Sequence, residues 1–420
     1  MKLKQTTQTY SQSTFHAFEN KNFRLLWPAN FFSYVSRWMQ MTFLSWLVLE
    51  ITDSPFLVAL VGFFGMIPLL FLGIIGGMLA DRVEKRKLLI TMQMFSFLSV
   101  LVFTVLLLFN FDAIRPWHAY IVILTTGTSW ALDMPSRRSL MHDLLGRQGL
   151  TNAVAIDSMG MHASRMSGPA LAGVLIKLIG VPGGYIVISI FYIFSISLLW
   201  FLELPRTQSK HRNSQKIIRN LLEGFKYVQG NRTILATILV TILLNVLLFP
   251  YQQLVPVIAR DILSVGPALM GLLLAAEGLG ALVGAVLIAS AANMTHHGRI
   301  YVGGSMIGLV GLLAFSFSQW YSISFIIMLI MGLGTAGFGT MQAAIVMLAA
   351  KEDMRGRSLG VITIAIGGGP IGSLIIGTVA GATNVPFAIG LNASIGIVVL
   401  CLTWILMPEL RRRISADIDN

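Results

Sequence analysis

Long apolar runs alternate along the chain with short polar segments that hold most of its basic residues. A hydrocarbon core is about 30 Å thick and a helix rises about 1.5 Å per residue, so about 20 apolar residues cross it. Read at that length, the pattern predicts twelve membrane helices. They fall at roughly 25–50, 56–80, 88–110, 117–136, 152–178, 182–204, 233–259, 267–292, 300–319, 322–349, 358–382 and 385–408. The weakest divisions are between the first two runs and between the last two, where the links are very short.

Residues 205–232 interrupt the pattern near the midpoint. There Ile217, Ile218, Leu221, Leu222 and Phe225 recur at helical spacing, with Lys216, Arg219 and Lys226 elsewhere around the wheel. That predicts a short amphipathic helix lying on a membrane surface, a plain connector or a regulatory, partner-binding element. The chain accordingly divides into a polar tail (1–22), a six-helix half (23–204), a basic linker (205–232), a second six-helix half (233–408) and a tail (409–420). Gly168-Pro169 recurs as Gly369-Pro370, each pair following a basic loop. The fold class expected is all-α integral membrane, two pseudo-symmetric six-helix bundles with any substrate path between them.

Composition agrees with lipid as the main solvent. The chain is 55% hydrophobic and 11% charged, against about 25% charged in soluble proteins, and its mean hydropathy is +0.77. Its 40 Gly and 14 Pro suit membrane helices, which tolerate both. The net charge of +12 would suit nucleic acid, but its placement argues otherwise: 25 of the 30 Lys and Arg lie in the tails and alternate loops. By the positive-inside rule both termini are then cytoplasmic, in a cell inner membrane, and no nucleic-acid partner is expected. Only Arg115, Lys177 and Arg260 fall toward the other side, and Arg37 and Arg165 lie within spans. The first 22 residues lack a cleavable signal pattern. One cysteine, Cys401, cannot form an internal disulfide.

The loop after the second run reads Gly76-Gly77-Met78-Leu79-Ala80-Asp81-Arg82-Val83-Glu84-Lys85-Arg86-Lys87. It resembles the G-x-L-A-D-R-x-G-R-K signature of the major facilitator superfamily. Gly77 permits close helix packing and Asp81 can pair with cations or cap a helix. Two positions depart, Glu84 for Gly and Lys85 for Arg, which leaves Arg86 to take the basic role. The fifth run contains Ser164-Arg165-Met166-Ser167-Gly168-Pro169-Ala170-Leu171-Ala172-Gly173. It resembles, in part, the G-x-x-x-G-P-x-x-G-G motif of proton-antiporting exporters in that superfamily. A Gly-Pro pair kinks a helix, which is also its routine structural reading. Phe23-Arg24-Leu25-Leu26-Trp27, Trp38-Met39-Gln40 and Trp46-Leu47-Val48-Leu49-Glu50 are similar to the transmembrane secretion effector branch, which holds siderophore and macrolide exporters. Arg37 departs from it. The resemblance implies export of amphipathic molecules by antiport with protons. It also implies a latch between Asp133, ending the fourth helix, and Lys85 or Arg86, the alternative being a solvated surface acid.

Ionisable groups within a span are functional candidates. At about 1.5 Å per residue, Arg37, Arg165 and Glu277 all sit roughly 15–20 Å from a membrane face, near the midplane. Glu277 is expected to face Arg165 or Arg37, either titrating during transport or forming a fixed ion pair. Asp133 and Asp157 are placed within about 6 Å of the inner face by the same arithmetic, Asp157 as a second proton site. Gln40, Asn245, Gln252, Gln253 and Gln342 are candidates for a substrate cavity with Phe and Met.

No G-x-x-x-x-G-K-[ST] phosphate loop, metal-ligand spacing or Ser-His-Asp set occurs, so neither ATP drive, cofactor, metal nor enzyme activity is expected. A monomer carrying a small molecule and protons through a bilayer is the leading reading. An uncoupled facilitator or importer and a membrane enzyme or assembly factor on the same scaffold remain as alternatives.

Overall fold

The computed structural model of the chain describes residues 16–203, 215–290, 295–352 and 354–412, and among these there is no strand. The expectations for the outer parts of both tails and for 204–214 lie outside the described residues. Helix α1 covers Lys21–Thr52, α2 Pro55–Arg82 and α3 Lys85–Phe109, followed by the 85-residue α4, Pro116–Trp200. Next come α5 (Gln215–Gly230), α6 (Arg232–Leu247), a 3₁₀ turn (Phe249–Leu254), the short α7 (Val255–Val257) and one turn of π-helix (Ile258–Ile262). The chain continues through α8 (Pro267–Ser290), α9 (His297–Phe317), α10 (Tyr321–Ala349), α11 (Arg355–Ile366), α12 (Gly369–Ala382) and α13 (Val385–Leu406). Among the described residues nine helical stretches are long and apolar enough to cross a membrane.

Local chemistry sets the boundaries. The Asn20 side chain accepts from the Asn22 and Phe23 amides at the start of α1, and Ser54 with Pro55 opens α2. Two breaks divide α4 into 116–145, 147–179 and 181–200. Each falls on a glycine with positive φ, Gly146 at 62° and Gly180 at 70°, a conformation that disfavours a Cβ. The first two segments run well past the predicted 117–136 and 152–178. Arg137, Arg138 and Arg147 ended the apolar runs in the sequence, but long polar side chains continue a helix readily.

The expected amphipathic linker helix is α5. Its Tyr227 hydroxyl accepts from the Lys351 amide at 3.0 Å, and Glu223 pairs with Arg357 at 3.0 Å. Helix α5 marks one end of the molecule, the linker face.

Helices α1, α2 and α3 pack on α4, while α8 and α9 pack on α10 and α13 on α9. The two groups meet where α4 crosses α8 and where α2 crosses α12. Toward the face opposite the linker they share one apolar core, which mixes Leu47, Val58 and Ile123 with Leu244, Tyr251, Leu273 and Ile376. Toward the linker face the core splits. One cluster gathers Phe23, Leu26, Leu89, Leu140, Ile156 and Leu199, and a separate one gathers Val228, Ile234, Val346, Val361 and Ile362. Buried apolar packing thus joins the groups at one end and forms separate clusters at the other.

Small residues draw the crossing helices together. A Cβ built on Gly173 would meet the Gly271 backbone, one on Gly271 would meet that of Gly173, and one on Gly278 would lie 2.7 Å from Met166 Cα. Backbone packs directly on backbone there, as at small-residue interfaces in membranes.

Candidate functional site

Arg165 on the 147–179 segment of α4 meets Glu277 on α8 at 2.5 Å, Nη2 to Oε1. The second carboxylate oxygen accepts from Gln252 Nε2 at 2.7 Å. Both oxygens of a carboxylate that is 2% exposed are therefore engaged. Trp38 and Phe249 flank the guanidinium, ring centroids 5.5 and 5.7 Å from Cζ, at cation–π range. Of the two partners expected for Glu277, the structure selects Arg165.

Neighbouring contacts cross the same seam. Ser45 Oγ on α1 donates to Gln253 Oε1 at 2.8 Å. Pro250 opens the 3₁₀ turn that carries both glutamines, placing them between α1 and α8. Gly168 lets α1 approach, since a Cβ there would lie 3.2 Å from Val35 O, and Pro169 lines the central space. Ser164 donates to Met161 O at 2.7 Å and is fully buried. The space enclosed by Trp38, Ser45, Arg165, Gln252, Gln253 and Glu277 is about 20 Å³, room for about one water. Separating Arg165 from Glu277 inside it would strand a buried charge, which is strongly destabilising.

A second polar cluster lies inside the first helix group, and it holds Arg37. This side chain, 9% exposed, donates to Gly65 O at 3.1 Å and stacks on Trp130 at 4.0 Å. It does not line the central space, correcting its expected place beside Arg165. Depth along a helix fixes one coordinate only, and the α1 register turns Arg37 toward α2 and α4 instead.

Asp133 pairs with Arg137 at 2.8 Å, one helical turn away, while Lys85 pairs with Asp143. Arg86 donates to Leu199 O at 3.2 Å and to Trp200 O. The expected contact of Asp133 with Lys85 or Arg86 is thus replaced. The reason is the length of α4: its first segment continues to residue 145, leaving Asp133 about 18 Å from that helix end and 3% exposed. Asp157 likewise lies about 15 Å into its segment rather than at the surface. It accepts from Asn30 Nδ2 at 2.9 Å and from Tyr34 at 3.1 Å, and it lines a 70 Å³ cavity with Tyr34, Trp130 and Arg138. Arg137 also donates to Asn30 Oδ1, joining the two carboxylates in one chain of contacts. The side chains of Asp81 and Arg82 and the surroundings of Gly77 lie outside the described residues.

The remaining cavity candidates brace single helix groups. Gln40 accepts from Thr126 at 2.8 Å, Gln342 donates to Thr241 Oγ1 at 2.7 Å and Asn245 to Thr241 O at 2.9 Å. Only Gln252 and Gln253 of the five line the central space. Sequence reading passed over Asn30, Tyr34 and Arg137, although Asn30 with Tyr34 and Asp133 with Arg137 each show the four-residue spacing of one helix face. Among the described residues no three His, Cys, Asp or Glu side chains gather as a metal site.

A family model described as transmembrane secretion effector matches residues 12–419. The staphyloferrin A transporter of Staphylococcus aureus is 24% identical over 91% of this chain and 94% of its own. The multidrug efflux pump Tap of Mycolicibacterium fortuitum is 23% identical over 87% and 90%. The enterobactin exporter EntS of Salmonella choleraesuis is 26% identical over 82% of each chain. Among solved structures, a D-xylose–proton symporter superposes with a TM-score of 0.73 at 13% identity, covering 94% of this chain and 99% of its own. An inward-facing bacterial homologue of the human lysosomal transporter Spinster gives 0.69 at 13%, over 93% and 98%.

Proposed function

The chain belongs to the transmembrane secretion effector family of the major facilitator superfamily, and from that premise we propose that it is a proton-coupled exporter of small amphipathic molecules. The observation that carries this reading is the Arg165–Glu277 pair, which joins the two helix groups inside an almost filled central space. A membrane carrier must open that space to one side at a time. The pair is where the groups are tied by charge, so protonating Glu277 loosens the tie. Each proton entering down a potential gains about 2.3 kcal/mol per 100 mV, which can drive a substrate outward.

The full topology of the proposal has twelve spans, with the breaks at Gly146 and Gly180 as turns between neighbouring helices. Residues 23–204 and 233–408 form the two bundles, and 205–232 joins them on the cytoplasmic side of a cell inner membrane. The linker face, where the apolar clusters are separate, is then the cytoplasmic mouth, where a substrate enters as a monomeric carrier faces inward. The named activities of the relatives, siderophore and drug export, suggest the substrate range.

Efflux of a preloaded dye from cells with and without a protonophore tests the coupling. Wild-type export is expected to collapse with the protonophore and to be lost in Glu277→Gln under both conditions. Export by Glu277→Gln that stays sensitive to the protonophore would remove Glu277 from the coupling role.

A further inference from the structure

Behind Trp130, three buried polar atoms without a hydrogen-bond partner line one cavity. They are Arg37 Nη1, Gln93 Oε1 and Asp133 Oδ1, on side chains 9%, 2% and 3% exposed. Each lies deep within a helix bundle, where an unsatisfied polar group is costly. The cavity measures about 10 Å³, close to the room one water needs.

The character of the three atoms restricts the occupant. An anion would meet the Asp133 carboxylate and the Gln93 amide oxygen. A metal ion would meet the Arg37 guanidinium. One guanidinium N–H needs an acceptor, and two oxygens need donors. A single water accepts once and donates twice, the usual complement of about three bonds for a buried water. We propose that one ordered water occupies this cavity, accepting from Arg37 Nη1 and donating to Asp133 Oδ1 and Gln93 Oε1.

The water completes a network of which most links are already formed. Asp133 binds Arg137, Arg137 donates to Asn30, and Asn30 donates to Asp157. Adding Arg37 through the water makes one unit of two guanidinium groups and two carboxylates, neutral overall. That explains how Arg37 stands in the bundle interior, where a carbonyl, a thioether and an indole face contact it directly. Trp130 walls both this cavity and the one holding Asp157, so the indole is the partition between the hydrated site and the linker-face cavity. The site does not depend on the direction or coupling of transport.

Two measurements on the full-length protein in lipid nanodiscs test the proposal. A structure that resolves ordered solvent is expected to show one peak about 2.7–3.2 Å from all three atoms. A dry cavity, an ion in it, or direct contact between Arg37 and Asp133 would overturn the assignment. Thermal unfolding of Arg37→Met, Asp133→Asn and the double variant gives the second. Bridged through water, the double variant loses less in midpoint than the two singles together; strict additivity would overturn the bridge. Should Asp133→Asn fail to accumulate, Gln93→Met takes its place in the cycle under the same criterion.

Discussion

At the scale of single residues, the central ion pair makes the sharpest demand. Glu277 is held by Arg165 and Gln252; truncating it to alanine leaves a largely buried guanidinium without its counter-charge. Breaking a buried pair from one side is expected to destabilise by about 3–5 kcal/mol. Calorimetric or fluorescence-detected unfolding of purified Glu277→Ala would read that loss. The combination Glu277→Ala with Arg165→Met should recover most of it while leaving transport absent. If the double variant is as unstable as the single, the cost lies in packing rather than charge. Much of this pair was legible in the sequence, because equal depth from the membrane face is a count of residues. Arg37 had the same depth, yet its direction depends on how α1 is rotated against α2 and α4, which depth does not encode. Asp133 was misplaced for a different reason: the predicted run ends at residue 136, and nothing in hydropathy says that the helix continues through Arg137 and Arg138 to residue 145.

At the scale of elements, α4 shows how a chain turns twice with almost no loop. Gly146 and Gly180 each take a positive φ between helical neighbours, so the reversal is made by single residues. A Cβ at Gly146 would meet nothing within 4 Å, hence the penalty of Gly146→Ala is conformational alone, about 1–3 kcal/mol. Gly339, within α10 and equally free of neighbours, should respond in the opposite sense, gaining up to about 1 kcal/mol as alanine. Thermal midpoints of the two variants in one detergent would show the contrast; a common sign would refute the conformational account. The existence of these helices was readable from the length of apolar runs. Their turns were bracketed by the expected links at 137–151 and 179–181, but the single residue that makes each was not marked, since a reversal at one glycine looks in sequence like any other glycine in a membrane helix.

At the scale of the whole molecule, the shared core on one face and the divided cores on the other describe a single pose of a carrier. Alternating access requires the joined face to part. A Cβ at Gly381 on α12 would lie 3.2 Å from that of Phe56 on α2, near the separation of about 3.5–4.5 Å that a disulfide spans. With Cys401→Ser as background, Phe56→Cys and Gly381→Cys should oxidise readily and stop export. Reduction should restore it to the level of the unoxidised double variant. Undiminished export by the fully oxidised protein would show that this face stays shut through the cycle. The Gly-Pro pairs that suggested a repeat in the sequence differ in detail. Pro169 sits within a continuous segment, whereas Pro370 follows a break of two residues between α11 and α12.

The Gly173–Gly271 crossing has a mechanical consequence. Interlocked side chains must change rotamers to separate, and each change adds friction. Two bare backbone ridges have no teeth to disengage. If the carrier cycles as proposed, such a seam can slide and lift as a smooth bearing, with the Arg165–Glu277 bond as its catch. The time the carrier spends closed should then follow the strength of that catch, and adding a single methyl group to either ridge would roughen the bearing without touching the catch.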